Sequence, residues 1–194
     1  MPILTIIAGC NGAGKSTFAP SFDYDKLFLE HYNQLQDSEL REKFAKHKTS
    51  EAFEKAVENA LNNEKDFCYE TNFDEIPIYW AEKFRDKGFT INLIFFCIES
   101  QAIARHRIEV RTEFKGHFVN NNTIDLKWKA GYKNLNANYA FFDNILIVDN
   151  SKPNDVYTNI LQLKKGKLTL MTDSIPGYMT HRLPDIYKVI KLDM

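Results

Sequence analysis

The chain has 194 residues, 44% of them hydrophobic, with 25 Lys and Arg against 26 Asp and Glu for a net charge of −1. That size and make-up suit one globular domain with a full core and exclude a disordered or fibrous chain. No run of about eighteen apolar residues offers a membrane span, no basic leader precedes the first apolar run, and a cytoplasmic protein is expected.

Near neutrality, with a pI near 6.5, leaves no broad basic surface, so a nucleic-acid partner is disfavoured. Cys10, Cys68 and Cys97 are odd in number and far apart, and they read as reduced structural thiols rather than metal ligands or a disulfide.

In chain order, Pro2 to Ala8 is a short, apolar, β-branched run, as expected of a buried parallel strand. It feeds Gly9-Cys10-Asn11-Gly12-Ala13-Gly14-Lys15-Ser16-Thr17, which fits G-x-x-x-x-G-K-[ST] at every fixed position. The glycines let consecutive N–H groups curl around anionic oxygens without a Cβ in the way. Lys15 is expected to reach β- and γ-phosphates and Ser16 to place its hydroxyl on Mg²⁺. Asn11, Ala13 and Thr17 complete the expected nucleotide-binding loop, and a helix is expected to begin over Lys15 to Ala19 before Pro20 disturbs it.

Phe22 to Leu35 is mixed polar and aromatic. A carboxylate shortly after the loop helix is placed to take the proton of an acceptor hydroxyl, with Asp25 the first candidate and Asp23 the second. The alternative is that one of them caps the next helix. Asp37 to Lys65 is helical in pattern, with Phe53, Ala56, Val57, Ala60 and Leu61 on one face and Ser50 as the expected cap. The charged stretch Glu39 to Lys48 reads as a solvated face.

Asp66 to Asn72 is a short strand ending in polar residues, where parallel sheets keep their sites. Glu70 and Thr71 are therefore candidates for substrate or Mg²⁺-side contacts, against the alternative of a capping cluster with Asp74. A helix over Glu75 to Lys87 ends at Gly88, and Thr90 to Ile98 reads as a central strand buried on both faces.

Ser100 is expected to cap a helix carrying Arg105, Arg107 and Arg111, the last two one turn apart. With Phe114-Lys115-Gly116-His117 they read as a cationic flap over a transferring phosphate, or as ordinary exposed arginines. Thr123 is expected to start the next helix, with Ile124, Trp128 and Leu135 buried and Lys127 beside Trp128. Asn144 to Ser151 is the last clear strand, and its polar end borders a nucleotide base or makes an ordinary turn. Residues 155–163 read as helix or strand, 167–171 as a hairpin return, and the remaining tail carries no assigned chemistry.

This ordered series resembles the zeta-toxin-like family of small P-loop kinases, whose members include UDP-N-acetylglucosamine kinases. The matching stretches are Gly9 to Thr17, Asp23 to Leu27, Glu70-Thr71-Asn72, Arg107 to His117, Ile124 through Asn134-Leu135, and Asp149-Asn150-Ser151.

The resemblance covers about residues 1 to 151. It implies an α/β P-loop NTPase fold, a parallel sheet flanked by helices with a small lid, and residues 152–194 as an extension packed on the same domain. It further implies ATP and Mg²⁺ as cofactors and phosphorylation of a small-molecule hydroxyl, a UDP-N-acetyl sugar in the best-known members, with consequences for cell-wall synthesis. The aspartate acts as base, the lid arginines and Lys127 stabilise the phosphoryl group, Glu70, Thr71 and His117 face substrate, and Asn150 faces nucleotide. A helical antitoxin covers the ATP site.

Three residues depart from the family pattern: Cys10 stands for proline, Lys115 for the first lid glycine, and Lys127 for an arginine. Lysine keeps the charge but loses the planar fork that grips phosphate twice. Two rivals to the kinase follow, a nucleotide-dependent binding protein with lost transfer and a polynucleotide 5′-hydroxyl kinase.

Overall fold

A computed structural model of the chain describes residues 1–18, 20–113, 120–152 and 157–193. The strands β1 (Ile3–Ala8), β2 (Phe67–Thr71), β3 (Thr90–Cys97), β4 (Asn144–Asp149), β5 (Thr158–Lys164) and β6 (Lys167–Met171) form one sheet in the order β2-β1-β3-β4-β5-β6. The four strands β1 to β4, all within residues 1–151, are parallel as expected; β5 runs antiparallel to β4 and β6 to β5 as a hairpin, so the sheet as a whole is mixed. A two-residue turn at Lys165-Gly166 makes an antiparallel return the short connection available to β6.

Seven helices are described: α1 (Tyr24–Gln34), α2 (Arg41–Asn62), α3 (Tyr79–Asp86), α4 (Gln101–Glu113), α5 (Asn121–Asn138), α6 (Gly177–Arg182) and α7 (Pro184–Asp193). None among the described residues is long and apolar enough to cross a membrane. The inner strands are buried on both faces, with Leu4, Ile6, Ile7, Ile91, Leu93 and Phe95 at the centre, which accounts for their near-continuous apolar sequence. From β5 outward the core is closed by Met179, Leu183, Ile186 and Ile190 of α6 and α7.

Chain order sends β1 to β2 on one side and then to β3 on the other. A switch of that kind opens a crevice beyond the carboxyl ends of the strands, and the phosphate loop follows β1 into it.

Four local expectations are corrected. The helix expected over Lys15 to Ala19 is a single 3₁₀ turn at Lys15–Thr17, because Pro20 has no N–H with which to continue the ladder. Ser50 caps nothing; α2 runs unbroken from Arg41, buries Ala45 and Thr49 as well as Val57 and Ala60, and points the Ser50 hydroxyl at that of Tyr24, 2.8 Å away. The helix expected from Glu75 starts only at Tyr79, since Pro77 holds the preceding residue out of the helical region. Finally, α5 begins before Thr123, capped by the Asn120 side chain, which accepts from the Asn122 N–H at 2.8 Å.

Candidate functional site

The phosphate loop is shaped by close approaches. A Cβ on Gly9, at φ 140°, would lie 2.6 Å from the Phe96 carbonyl of β3, and one on Gly14, at φ 95°, would overlap the Asn150 amide beyond β4. Only glycine meets both demands. Asn150 is 2% exposed and donates from Nδ2 to the Ala13 carbonyl at 2.9 Å, so the polar end of β4 fastens the loop from beneath.

Lys15 curls back on its own loop, donating to the carbonyls of Gly9 (2.8 Å) and Cys10 (3.1 Å) and reaching Asn72 Oδ1 at 3.5 Å. Burial pushes its ammonium below the usual lysine value; Cys10, Glu70 and Asp25 oppose that shift and Lys127 adds to it. Burial also pushes the Cys10 thiol up to about 11.

Glu70, at the end of β2, accepts from Ser16 Oγ at 2.9 Å and from Ser21 Oγ at 2.8 Å. The expected Mg²⁺ hydroxyl and the strand-end carboxylate thus sit together, beside the exit of the loop. Among the described residues no group of three or more His, Cys, Asp or Glu could hold a metal. A hydroxyl with a neighbouring carboxylate fits Mg²⁺, which takes few protein ligands and completes its shell with water and phosphate oxygens.

The two aspartates separate by role. Asp23 is the N-cap of α1, its Oδ1 accepting from the Lys26 N–H at 3.0 Å. Asp25 lies in the first turn of α1, and Asn11 of the phosphate loop donates to its Oδ2 at 3.3 Å. Asn11 is itself buried, and its Oδ1 has no partner.

Beyond β2 the chain turns sharply. Phe73 is fully buried at φ 62°, its N–H bonds Thr71 Oγ1 at 3.0 Å, and Asn134 of α5 donates to the carbonyls of Phe73 and Asp74. Thr71 therefore holds the turn, and Asp74 meets Lys127 Nζ at 4.0 Å. The positive φ of a buried aromatic stores strain that Asn134 helps to hold.

Arg107 donates to the carbonyls of Gly12 (3.3 Å) and Lys152 (2.9 Å), and Arg105 is engaged by Asp125 of α5. Arg111 lies in α4 with its side chain outside the described part of the chain, and Lys115 and His117 fall outside the described residues. Asn11, Lys15, Ser16, Asp23, Asp25, Glu70, Thr71, Arg107 and Lys127 all line one cleft of about 1720 Å³.

The sequence profile of the Zeta toxin family matches residues 22–162, more than half of the chain. The chain belongs to the zeta toxin family.

Direct comparison with curated protein sequences finds no match. Among solved structures, one from the PezAT chromosomal toxin-antitoxin system of Streptococcus pneumoniae aligns over 99% of this chain and 87% of its own, at 16% identity and TM-score 0.61. One from the AvrRxo1-ORF1:-ORF2 complex aligns over 100% and 64%, at 9% identity and TM-score 0.65. A Chloroflexus aurantiacus protein described as a candidate kinase aligns over 65% and 74%, at 17% identity and TM-score 0.51. At these identities the likenesses show a shared fold.

Within this zeta toxin family member, sequence reasoning missed three positioning residues. Asn72 touches Lys15 across the cleft, and Asn134 carries the β2 turn. Tyr178, in the tail that carried no assigned chemistry, donates to Asp149 Oδ1 at 2.7 Å, an oxygen also bonded by the Ser151 N–H at 3.1 Å. Polar residues 29 to 61 positions from their partners leave no periodic trace. For Asn72 a signal did exist, its place directly after Glu70-Thr71.

Proposed function

We propose that the protein transfers the γ-phosphoryl group of Mg²⁺·ATP to a hydroxyl of a small molecule. The observation that carries this reading is the contact between loop and carboxylate: Asn11, inside the phosphate-binding loop, donates to Asp25. A base held against that loop is where an acceptor hydroxyl must lose its proton.

In this reading Asp25 receives the acceptor proton while Lys15 leaves the Gly9 and Cys10 carbonyls to meet the β- and γ-phosphates. The loop N–H groups and Asn150 hold the chain curled for that exchange. Ser16 would hold Mg²⁺ with Glu70 behind it, and the ion when bound neutralises charge on the β- and γ-oxygens. Lys127 and Arg107 supply further positive charge on the α4–α5 side, and Arg111 is carried over from the family pattern; for Arg107 this means exchanging its present carbonyl partners for phosphate oxygens.

Asp23 caps α1 and so sets where Asp25 sits, while Thr71 shapes the substrate side and His117 is carried over from the family pattern. Binding of a helical antitoxin over this cleft belongs to the same proposal, supported by family membership.

The test is label transfer from γ-labelled ATP with Mg²⁺ to UDP-N-acetylglucosamine, nucleosides and small alcohols. Acceptor-dependent transfer that Asp25→Ala abolishes while ATP still binds is the expected result. ATP binding with transfer to nothing would replace the kinase by a nucleotide-dependent switch.

A further inference from the structure

The carboxyl-terminal helices lie past residue 162, where the match to the family profile stops, yet one of them reaches the end of β4. Helix α6 is seated by Met179, buried in the core, and by Arg182, whose guanidinium lies 4.2 Å from the centre of the Trp128 ring of α5. From that seat the half-buried Tyr178 donates its hydroxyl to Asp149 Oδ1 at 2.7 Å. Burial pushes the Tyr178 phenol well above its ordinary value, so the hydroxyl stays a donor.

The same oxygen of Asp149 collects the Ser151 N–H at 3.1 Å and the Ser151 hydroxyl, and that hydroxyl accepts from the Glu99 N–H at 2.8 Å. Asn150, in the middle, gives its own N–H to the Cys97 carbonyl at 2.9 Å. Its side chain holds the Ala13 carbonyl through Nδ2, while its buried Oδ1 has no partner among the described residues. The backbone of residues 149–151 therefore decides where the Asn150 amide stands.

A trans peptide holds its N–H opposite its C=O. With the Ala13 carbonyl drawn to Asn150, the Gly14 N–H points away from Asn150, and Gly14 lines the cleft whereas Asn150 does not. That N–H is one of the donors a curled loop offers to phosphate oxygens.

We infer that Tyr178 is a positioning residue for the triphosphate: through Asp149 and Asn150 the tail sets the Ala13–Gly14 peptide, and with it the affinity of the loop for Mg²⁺·ATP. This rests on the nucleotide-binding half of the reading above and needs no step of phosphoryl transfer. Coupling of this kind is reciprocal, so nucleotide in the loop holds α6 down by the same factor.

The test is calorimetry of Mg²⁺·ATP on the full chain. Tyr178→Phe removes the hydroxyl and keeps the ring, and Ile190→Val, a buried change on α7, loosens the tail without touching Asp149. Tyr178→Phe is expected to raise the ATP Kd about tenfold and Ile190→Val to leave it within about twofold. In an Asn150→Ala background the relay is already broken, so adding Tyr178→Phe should move Kd by less than about twofold. An ATP Kd in Tyr178→Phe within about twofold of the parent overturns the inference, as does an equal loss in Ile190→Val or additive losses in the double variant.

Hydrogen exchange of the amides of residues 177–182 is a second measurement that needs no Asn150 variant. ATP is expected to slow it about tenfold in the parent and to leave Tyr178→Phe unslowed; equal slowing in both overturns the inference. Label transfer is scored separately. The expected binding pattern with transfer to nothing sinks the kinase and keeps the tail relay, transfer and binding indifferent to Tyr178→Phe keep the kinase and sink the relay, and a parent that gives no heat with ATP sinks both.

Discussion

Asp23 and Asp25 are two residues apart on one helix end, and the structure gives them different physical work that substitution can separate. In Asp25→Asn the amide oxygen can still accept from Asn11 Nδ2, a contact of 3.3 Å in the parent, so the loop keeps its partner while the proton acceptor is lost. A positioned general base contributes about 10²- to 10⁴-fold, so kcat is expected to fall by that factor, equivalent to about 2.7–5.4 kcal/mol of barrier. ATP affinity should stay within about threefold, because Lys15 and the loop N–H groups are untouched.

Asp23→Ala removes the cap on the Lys26 N–H and should cost about 1 kcal/mol of stability, or about 2–4 °C in Tm, with a smaller loss of kcat than Asp25→Asn. Steady-state kinetics of label transfer, ATP calorimetry and thermal melts on the two variants read all three quantities. Should Asp25→Asn keep more than a third of the parent kcat, or should Asp23→Ala lose as much kcat as Asp25→Asn, the assignment of the base is wrong.

Gly14→Ala forces a Cβ into Asn150 at a left-handed φ, and is expected to cost about 2 kcal/mol or more in a urea melt and to abolish ATP binding in calorimetry. Glu70→Gln keeps two acceptor or donor positions for Ser16 and Ser21 but removes the charge, so the Mg²⁺ concentration for half-maximal transfer should rise about tenfold.

Asn134→Ala leaves the Phe73 carbonyl without its donor next to a strained buried aromatic, with an expected loss of about 1–3 kcal/mol in the same melt. Above neutrality, the folded Cys10 thiol holds its proton to about 11, whereas an unfolded thiol loses it from its ordinary 9.0. The unfolded chain thus binds fewer protons in that window, and stability should fall as pH rises from about 9 to 11, by about 2–3 kcal/mol from this group; Cys10→Ala should flatten that slope in pH-dependent urea melts.

The amino-acid sequence alone determined the phosphate loop, because its chemistry is local: three glycines, a lysine and a hydroxyl at set spacing after an apolar strand. It also located the buried strands and the long helices, whose periodicity is written within a few turns of chain. The expected flap at Lys115 and His117 lies outside the described residues, and nothing in the structure bears on it.

Tertiary structure alone decided which carboxylate touches the loop, since Asp23 and Asp25 look equivalent until the register of α1 turns one into its cap and the other toward Asn11. It likewise decided that Glu70 faces Ser16, that Arg107 grips two carbonyls, and that a tail tyrosine reaches Asp149. The physical reason is range. Loops, strands and helix faces follow from backbone freedom and side-chain spacing over a few residues, whereas the contacts that build the site join groups up to 137 positions apart and exist only once the sheet has set them face to face.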